Sequence, residues 1–114
     1  MSGLREVDLE LGRPTVAQAL DRLRRELKTS RELRCAAVKL IHGYGSSGPG
    51  GKIRTAVRRE LAALKAVGRI RDVIPGEKFT IFETATLAAF ARCDALRRDE
   101  DLERYNNGIT VVIL

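Results

Sequence analysis

Residues 36–58 read AAVKLIHGYGSSGPGGKIRTAVR. The first six, residues 36–41, are mostly apolar and read as a largely buried strand. From Lys52 the pattern changes. Ile53, Val57, Leu61 and Leu64 recur at helical spacing, which predicts a helix that buries that stripe, with Gly68 placed at its C′ position. Between strand and helix lie the ten residues 42–51, which hold five of the chain's ten glycines. A strand leading through a glycine-rich loop into a helix is the basic step of an α/β fold.

The same alternation extends in both directions. Upstream, residues 4–11 (LREVDLEL) alternate apolar with charged, so a half-buried strand is expected with Val7, Leu9 and Leu11 inward. Gly12, Arg13 and Pro14 break it. Thr15 and Gln18 then spell a T-x-x-Q capping box, in which hydroxyl and amide satisfy unpaired backbone donors. Val16, Leu20, Leu23 and Leu27 carry that helix to about residue 30. Downstream, residues 69–74 read as a third strand ended by Pro75-Gly76. Thr80 and Glu83 spell a second capping box. The helix it predicts turns Phe82, Ala89, Phe90, Cys93 and Leu96 inward. Residues 99–105 are expected to add one or two helical turns. Asn107-Gly108 is a turn signal before a last strand, residues 109–114. The order βαβαβ, a helical segment, then β implies an α/β two-layer sandwich on a mixed four-stranded sheet.

The chain has 114 residues, 44% hydrophobic and 32% charged. This length suits a single domain, residues 1–114, with a helical insertion at about 76–107. No run approaches the roughly 20 apolar residues of a membrane-spanning helix, and no membrane association is expected. The N-terminus alternates charge with apolar residues, unlike a signal or transit peptide. Cys35 and Cys93 form no CxxC, and one His leaves no zinc set, so a reduced, cytoplasmic setting is expected and no metal site is read. The net charge of +6 is uneven: residues 1–74 carry 16 Lys and Arg against 8 Asp and Glu, residues 75–114 carry 5 against 7. A basic part facing an anionic partner, nucleic acid above all, is one reading; an Arg-rich solvated surface is the other.

The loop favours an anion. Glycines let backbone N–H groups approach a ligand. The helix N-terminus behind them carries a partial positive charge, and Lys52 adds a full one. Two phosphate motifs can be tested. A Walker A loop ending at Gly51-Lys52 needs Gly where Ser46 stands and Ser or Thr where Ile53 stands, and fails twice. Residues 43–48 (GYGSSG) spell the dinucleotide pattern G-x-G-x-x-G. However, Pro49-Gly50-Gly51 intervene before the helix, and the chain is too short for a full dinucleotide fold.

Val38-Lys39-Leu40-Ile41-His42-Gly43-Tyr44-Gly45, the glycines that follow, Lys52-Ile53-Arg54 and Ala56-Val57 resemble the Smr (small MutS-related) domain. That family has a strand ending His-Gly-x-Gly, a Gly-rich loop and a helix opening Gly-x-Leu-Arg-x-Ala-Val. Residues 107–114 (NGITVVIL) resemble its closing strand. Residues 9–20 align without gaps to its Leu-Asp-Leu-His segment and the helix after it. The resemblance covers about residues 5–75 and 107–114. It implies a compact domain similar to the C-terminal domain of bacterial translation initiation factor three, nucleic-acid binding, and in some members endonuclease cleavage of DNA or RNA.

The chain departs from this pattern in two places. Glu10 stands for the family's Asp, and Gly12 for the histidine of that segment. Endonuclease activity would then fall to His42 with Glu10 or a divalent metal as catalytic groups; Asp8, two residues before Glu10, is a further carboxylate for a metal or simply part of a solvated strand face. For His42 the competing role is to hydrogen-bond the loop backbone. The expected nucleic-acid and phosphate contacts are His42, Gly43, Tyr44, Gly45, Gly48, Gly50, Gly51, Lys52, Arg54 and Arg58. Arg54 and Arg58 lie one helical turn apart. Tyr44 is placed to stack on a base or is an ordinary exposed tyrosine. The second departure is length: about 33 residues separate the third and last strands where the family has a short loop. That segment holds all three phenylalanines, and either enlarges the core or meets a protein partner. The expected function is therefore nucleic-acid binding, RNA or DNA. The alternatives are weak phosphodiester cleavage, or binding of a nucleotide or small phosphorylated ligand, and no resident cofactor is expected.

Overall fold

The computed structural model describes residues 3–44 and 50–114. Strand β1 (Leu4–Asp8) leads to helix α1 (Val16–Glu32), then β2 (Ala37–Ile41), α2 (Gly50–Ala66) and β3 (Asp72–Pro75). A 3-10 turn (Gly76–Lys78), helix α3 (Thr84–Arg92) and a second 3-10 turn (Asp94–Arg98) precede β4 (Ile109–Ile113). The sheet order is β1-β2-β4-β3. β1 runs parallel to β2, while β4 runs antiparallel to both β2 and β3. The sheet is therefore mixed, and the last strand to leave the chain sits between two earlier ones. Every residue of β4 is buried, as an interior strand covered on both faces requires.

Period-two alternation splits the core into two clusters. On one face Val7, Val38, Leu40 and Val112 pack with Leu23 and Leu27 of α1 and Val57 and Leu61 of α2. On the other, Ala37, Ile74, Val111 and Ile113 pack with Phe79, Phe90, Cys93 and Leu96 of the segment between β3 and β4. That segment thus enlarges the core. Among the described residues no helix is long and apolar enough to cross a membrane.

The Thr15 capping box is present. Gln18 N–H donates to Thr15 Oγ1 (3.1 Å) and Thr15 N–H to Gln18 Oε1 (2.9 Å). Gly68 closes α2 with φ +76°. Other expectations need correction. β1 ends at Asp8, not residue 11, because Asp8 Oδ1 accepts from Glu10 N–H (2.8 Å) and Glu10 O from Arg13 N–H (3.0 Å). That turn puts Gly12 at φ +81° and leaves Leu11 68% exposed. α2 already begins at Gly50, and β3 begins at Asp72, three residues later than expected.

The Thr80 capping box does not form. α3 begins at Thr84, and Thr80 Oγ1 donates instead to Glu103 Oε1 (2.7 Å). Phe82, expected inward, is 83% exposed, and Phe79 at 1% takes the core position. Residues 99–105 form turns instead of a helix, with Glu103 and Tyr105 at positive φ (66° and 53°). The cause is Lys39, only 1% exposed in the middle of β2. Its ammonium reaches Asp101 (2.6 Å), Asp99 (3.1 Å) and Glu6 (3.3 Å). A buried lysine needs acids around it, and residues 99–101 are bent inward to supply them. Burial pulls the Lys39 pKa down, but hydrogen bonds and charge from Asp101 and Asp99 outweigh it and hold the ammonium above the usual lysine range.

Candidate functional site

The loop leaves the sheet at the end of β2, on the face that α1 and α2 cover. His42 follows Leu40 by two residues and so points the same way, into the interior, where it is 0% exposed. Both ring nitrogens have partners: Nδ1 lies 2.8 Å from Gly43 O and Nε2 lies 2.8 Å from Thr110 Oγ1. A carbonyl only accepts, so Nδ1 carries the proton. Nε2 then accepts from the Thr110 hydroxyl, whose oxygen accepts in turn from Arg58 Nε (3.1 Å). Burial, followed by the charges of Arg58 and Arg54, lowers the His42 pKa to about 4, against the Gly43 bond and Glu77, which raise it. At neutral pH the ring is uncharged and its lone pair is occupied.

Arg58 is committed inside the protein as well. Its guanidinium grips Glu77 with two bonds (2.8 and 2.7 Å) and donates to Ile109 O (3.2 Å). It ties α2 to the turn after β3 and to β4. Its bond to Glu77 holds that carboxyl below the usual range, against burial, which raises it. Lys52 is exposed and Arg54 half-buried on the first turns of α2. Among the described residues neither makes an ion pair, in contrast to Arg24, Arg58 and Lys65.

Gly43 and Tyr44 form the mouth of the loop. The N–H groups of His42 and Gly43 both donate to Gly108 O (3.0 Å each). Gly43 has φ +72°, and a Cβ there would stand 2.6 Å from the Glu10 carboxyl carbon. Glu10 therefore lies over the Gly43 backbone, while the His42 ring is turned inward to Gly43 O and Thr110 Oγ1. Gly43→Ala is expected to cost about 1–2 kcal/mol in urea unfolding, from the left-handed backbone. Glu10→Ala added to it should recover little of that loss, since the carboxylate can swing away; full recovery would mean the clash, not φ, dominates. Tyr44 is exposed, and one edge of its ring lies against Gly108, where an added Cβ would meet Cδ1 at 2.9 Å.

Gly45 and Gly48, two of the expected phosphate contacts, lie outside the described residues. Gly50 and Gly51 open α2. Asp8 is occupied as the acceptor for Glu10 N–H. Among the described residues no three His, Cys, Asp or Glu side chains converge to hold a metal ion. Thr110, Glu77, Lys39 and Asn106 were not singled out from sequence. A polar Thr110 inside a buried apolar strand, and a Lys39 inside another, were the signals that could have found two of them.

A model of the Smr domain matches residues 9–79. The crystal structure of the Smr domain of Thermus thermophilus MutS2 is 27% identical, with a TM-score of 0.56, covering 96% of this chain and 96% of that one. Comparison with curated proteins returns no match.

Proposed function

The chain belongs to the Smr domain family, a family generally associated with nucleic acid and, in some members, with nuclease activity, and we propose that it binds nucleic acid at the start of α2. Lys52 and Arg54 neutralise phosphates, helped by the backbone donors of Gly50 and Gly51. Tyr44 offers a ring on which a base stacks. His42 and Arg58 hold this surface in place from behind. The carrying observation is that Lys52 and Arg54 stand on the first turns of α2 with no ion-pair partner among the described residues, while the neighbouring Arg58 is neutralised by Glu77.

With two phosphate contacts, the slope of log affinity against log salt is about −1.8 for duplex DNA and about −1.4 for a single strand. Anisotropy titrations of labelled single-stranded RNA and duplex DNA at several salt concentrations measure it. Lys52→Glu with Arg54→Glu should weaken binding by about tenfold or more at low salt and flatten the slope. Unchanged affinity in that double variant overturns the assignment.

Phosphodiester cleavage is a second reading, favoured by one observation: the Glu10 carboxylate lies over the Gly43 backbone at the mouth of the loop. In the same experiment, strand cleavage in added Mg²⁺ that Glu10→Gln abolishes would establish it. Cleavage that survives Glu10→Gln and His42→Ala excludes these groups as its source.

A further inference from the structure

We propose that Asn106 is the positioning residue for the mouth of the loop, setting Tyr44 and the His42 and Gly43 amides in the geometry that receives nucleic acid; this rests on the nucleic-acid reading above. Asn106 is held from both ends. Its Oδ1 accepts from Gly108 N–H (2.9 Å) and its Nδ2 donates to Asp101 Oδ1 (3.0 Å). The amide has one orientation available, because Gly108 N–H can only donate and the Asp101 carboxylate can only accept. Asp101 is itself anchored by Lys39 (2.6 Å) on the far face of the sheet.

Gly108 is thereby fixed by its N–H, and its carbonyl turns toward the loop, where it accepts from both His42 and Gly43. The Tyr44 ring packs against Gly108, where an added Cβ would meet both its edge and Asn106 Oδ1. The path from Lys39 through Asp101, Asn106 and Gly108 to residues 42–44 consists of hydrogen bonds and one ring contact. It couples the acid cluster under one face of the sheet to the loop leaving the other. A residue outside the motif that defines the loop, in the turn before β4, thus determines how the mouth is shaped. Lys39 and Asp101 also carry the fold of residues 99–105, whereas Asn106 is partly exposed and its side chain serves the mouth.

Amide hydrogen exchange and RNA affinity, measured on the whole chain, test this. In Asn106→Ala, exchange at His42 and Gly43 should speed by roughly five- to tenfold, while Leu23 and Leu27 in α1 keep their rates. Asn106→Ser retains an acceptor for Gly108 N–H and should stay closer to the wild type. Affinity for a labelled oligouridylate should fall in Asn106→Ala with the salt slope unchanged, because no phosphate contact is removed. Unchanged exchange at His42 and Gly43, or exchange that rises equally in α1, overturns the positioning role. Exchange needs no nucleic acid. If the two amides respond as expected and the wild-type chain binds no oligonucleotide, the nucleic-acid reading fails, and with it the assignment of Asn106 to a receiving site. If the wild type binds and Asn106→Ala binds equally well despite faster exchange, the positioning role alone fails.

Discussion

Lys39→Met is expected to cost the fold about 3–5 kcal/mol at neutral pH, the usual loss when one partner of a buried charge cluster is removed. The methionine fills much the same space, so the cost is electrostatic and not a cavity. Asp99 and Asp101 are left with side-chain exposures of only 8% and 15%, and their main counter-charge is gone. Asp99 Oδ1 also accepts from Asp101 N–H (2.9 Å), and Asp101 Oδ1 holds Asn106, so the carboxylates cannot turn outward without undoing the turns around them. In the wild type, burial pushes the Asp101 pKa up, but Asn106 and Lys39 more than offset it and hold it below the usual value. Without Lys39 the balance moves toward burial, and the folded variant binds protons more readily than its unfolded chain. Its deficit relative to the wild type should therefore shrink as pH falls from neutral toward about 5. Urea midpoints of both proteins across that range measure it. A loss below about 1 kcal/mol at neutral pH would mean that water reaches the cluster freely.

The parts of the fold that were legible in the sequence are those determined by neighbours along the chain. The Thr15 capping box needs only residues three apart, and it forms. The stripe Ile53, Val57 and Leu61 needs only the helical repeat, and it is buried. The errors share another origin. Thr80 and Glu83 match a capping box in spacing, but Glu103, 23 residues away, takes the Thr80 hydroxyl. Residues 99–105 are composed like a helix, but Lys39, 60 residues before Asp99, needs their carboxylates underneath it. Phe82 falls outward once α3 starts at Thr84 instead of three residues sooner. In each case a distant polar partner outweighed local propensity, and a sequence pattern carries no sign of which distant partner will arrive. The candidate site divides the same way. The glycines, His42 and the cations of α2 stand close together in the chain and announced themselves. Arg58 read as a phosphate contact because Glu77 and Thr110, 19 and 52 residues away, were not visible as its partners.

His42 should make the protein lose about 3 kcal/mol of stability between pH 6.5 and pH 4. Its folded pKa is lowered from 6.5 to about 4, first by burial and then by Arg58 and Arg54. Within that window the unfolded chain has taken up a proton that the folded ring refuses, so acid favours unfolding. The contribution is fully present above about 6.5 and is lost as pH falls, at up to about 1.4 kcal/mol per pH unit. Glu77, beside the ring, is held below the ordinary carboxylate range and so stays charged through the upper part of this window. The chain has a single histidine, so its one set of imidazole resonances reports the folded midpoint without assignment. A midpoint near 4, together with a stability curve that flattens between pH 5 and 6.5 in His42→Asn, is the expected result. Arg58→Met should move the midpoint up, because it removes a positive charge from beside the ring. A wild-type midpoint at or above 6 would mean that the ring titrates in contact with water. The closed chain from Arg58 through Thr110 to Nε2 would then be wrong, and His42 would be free near neutral pH to exchange protons with a bound substrate.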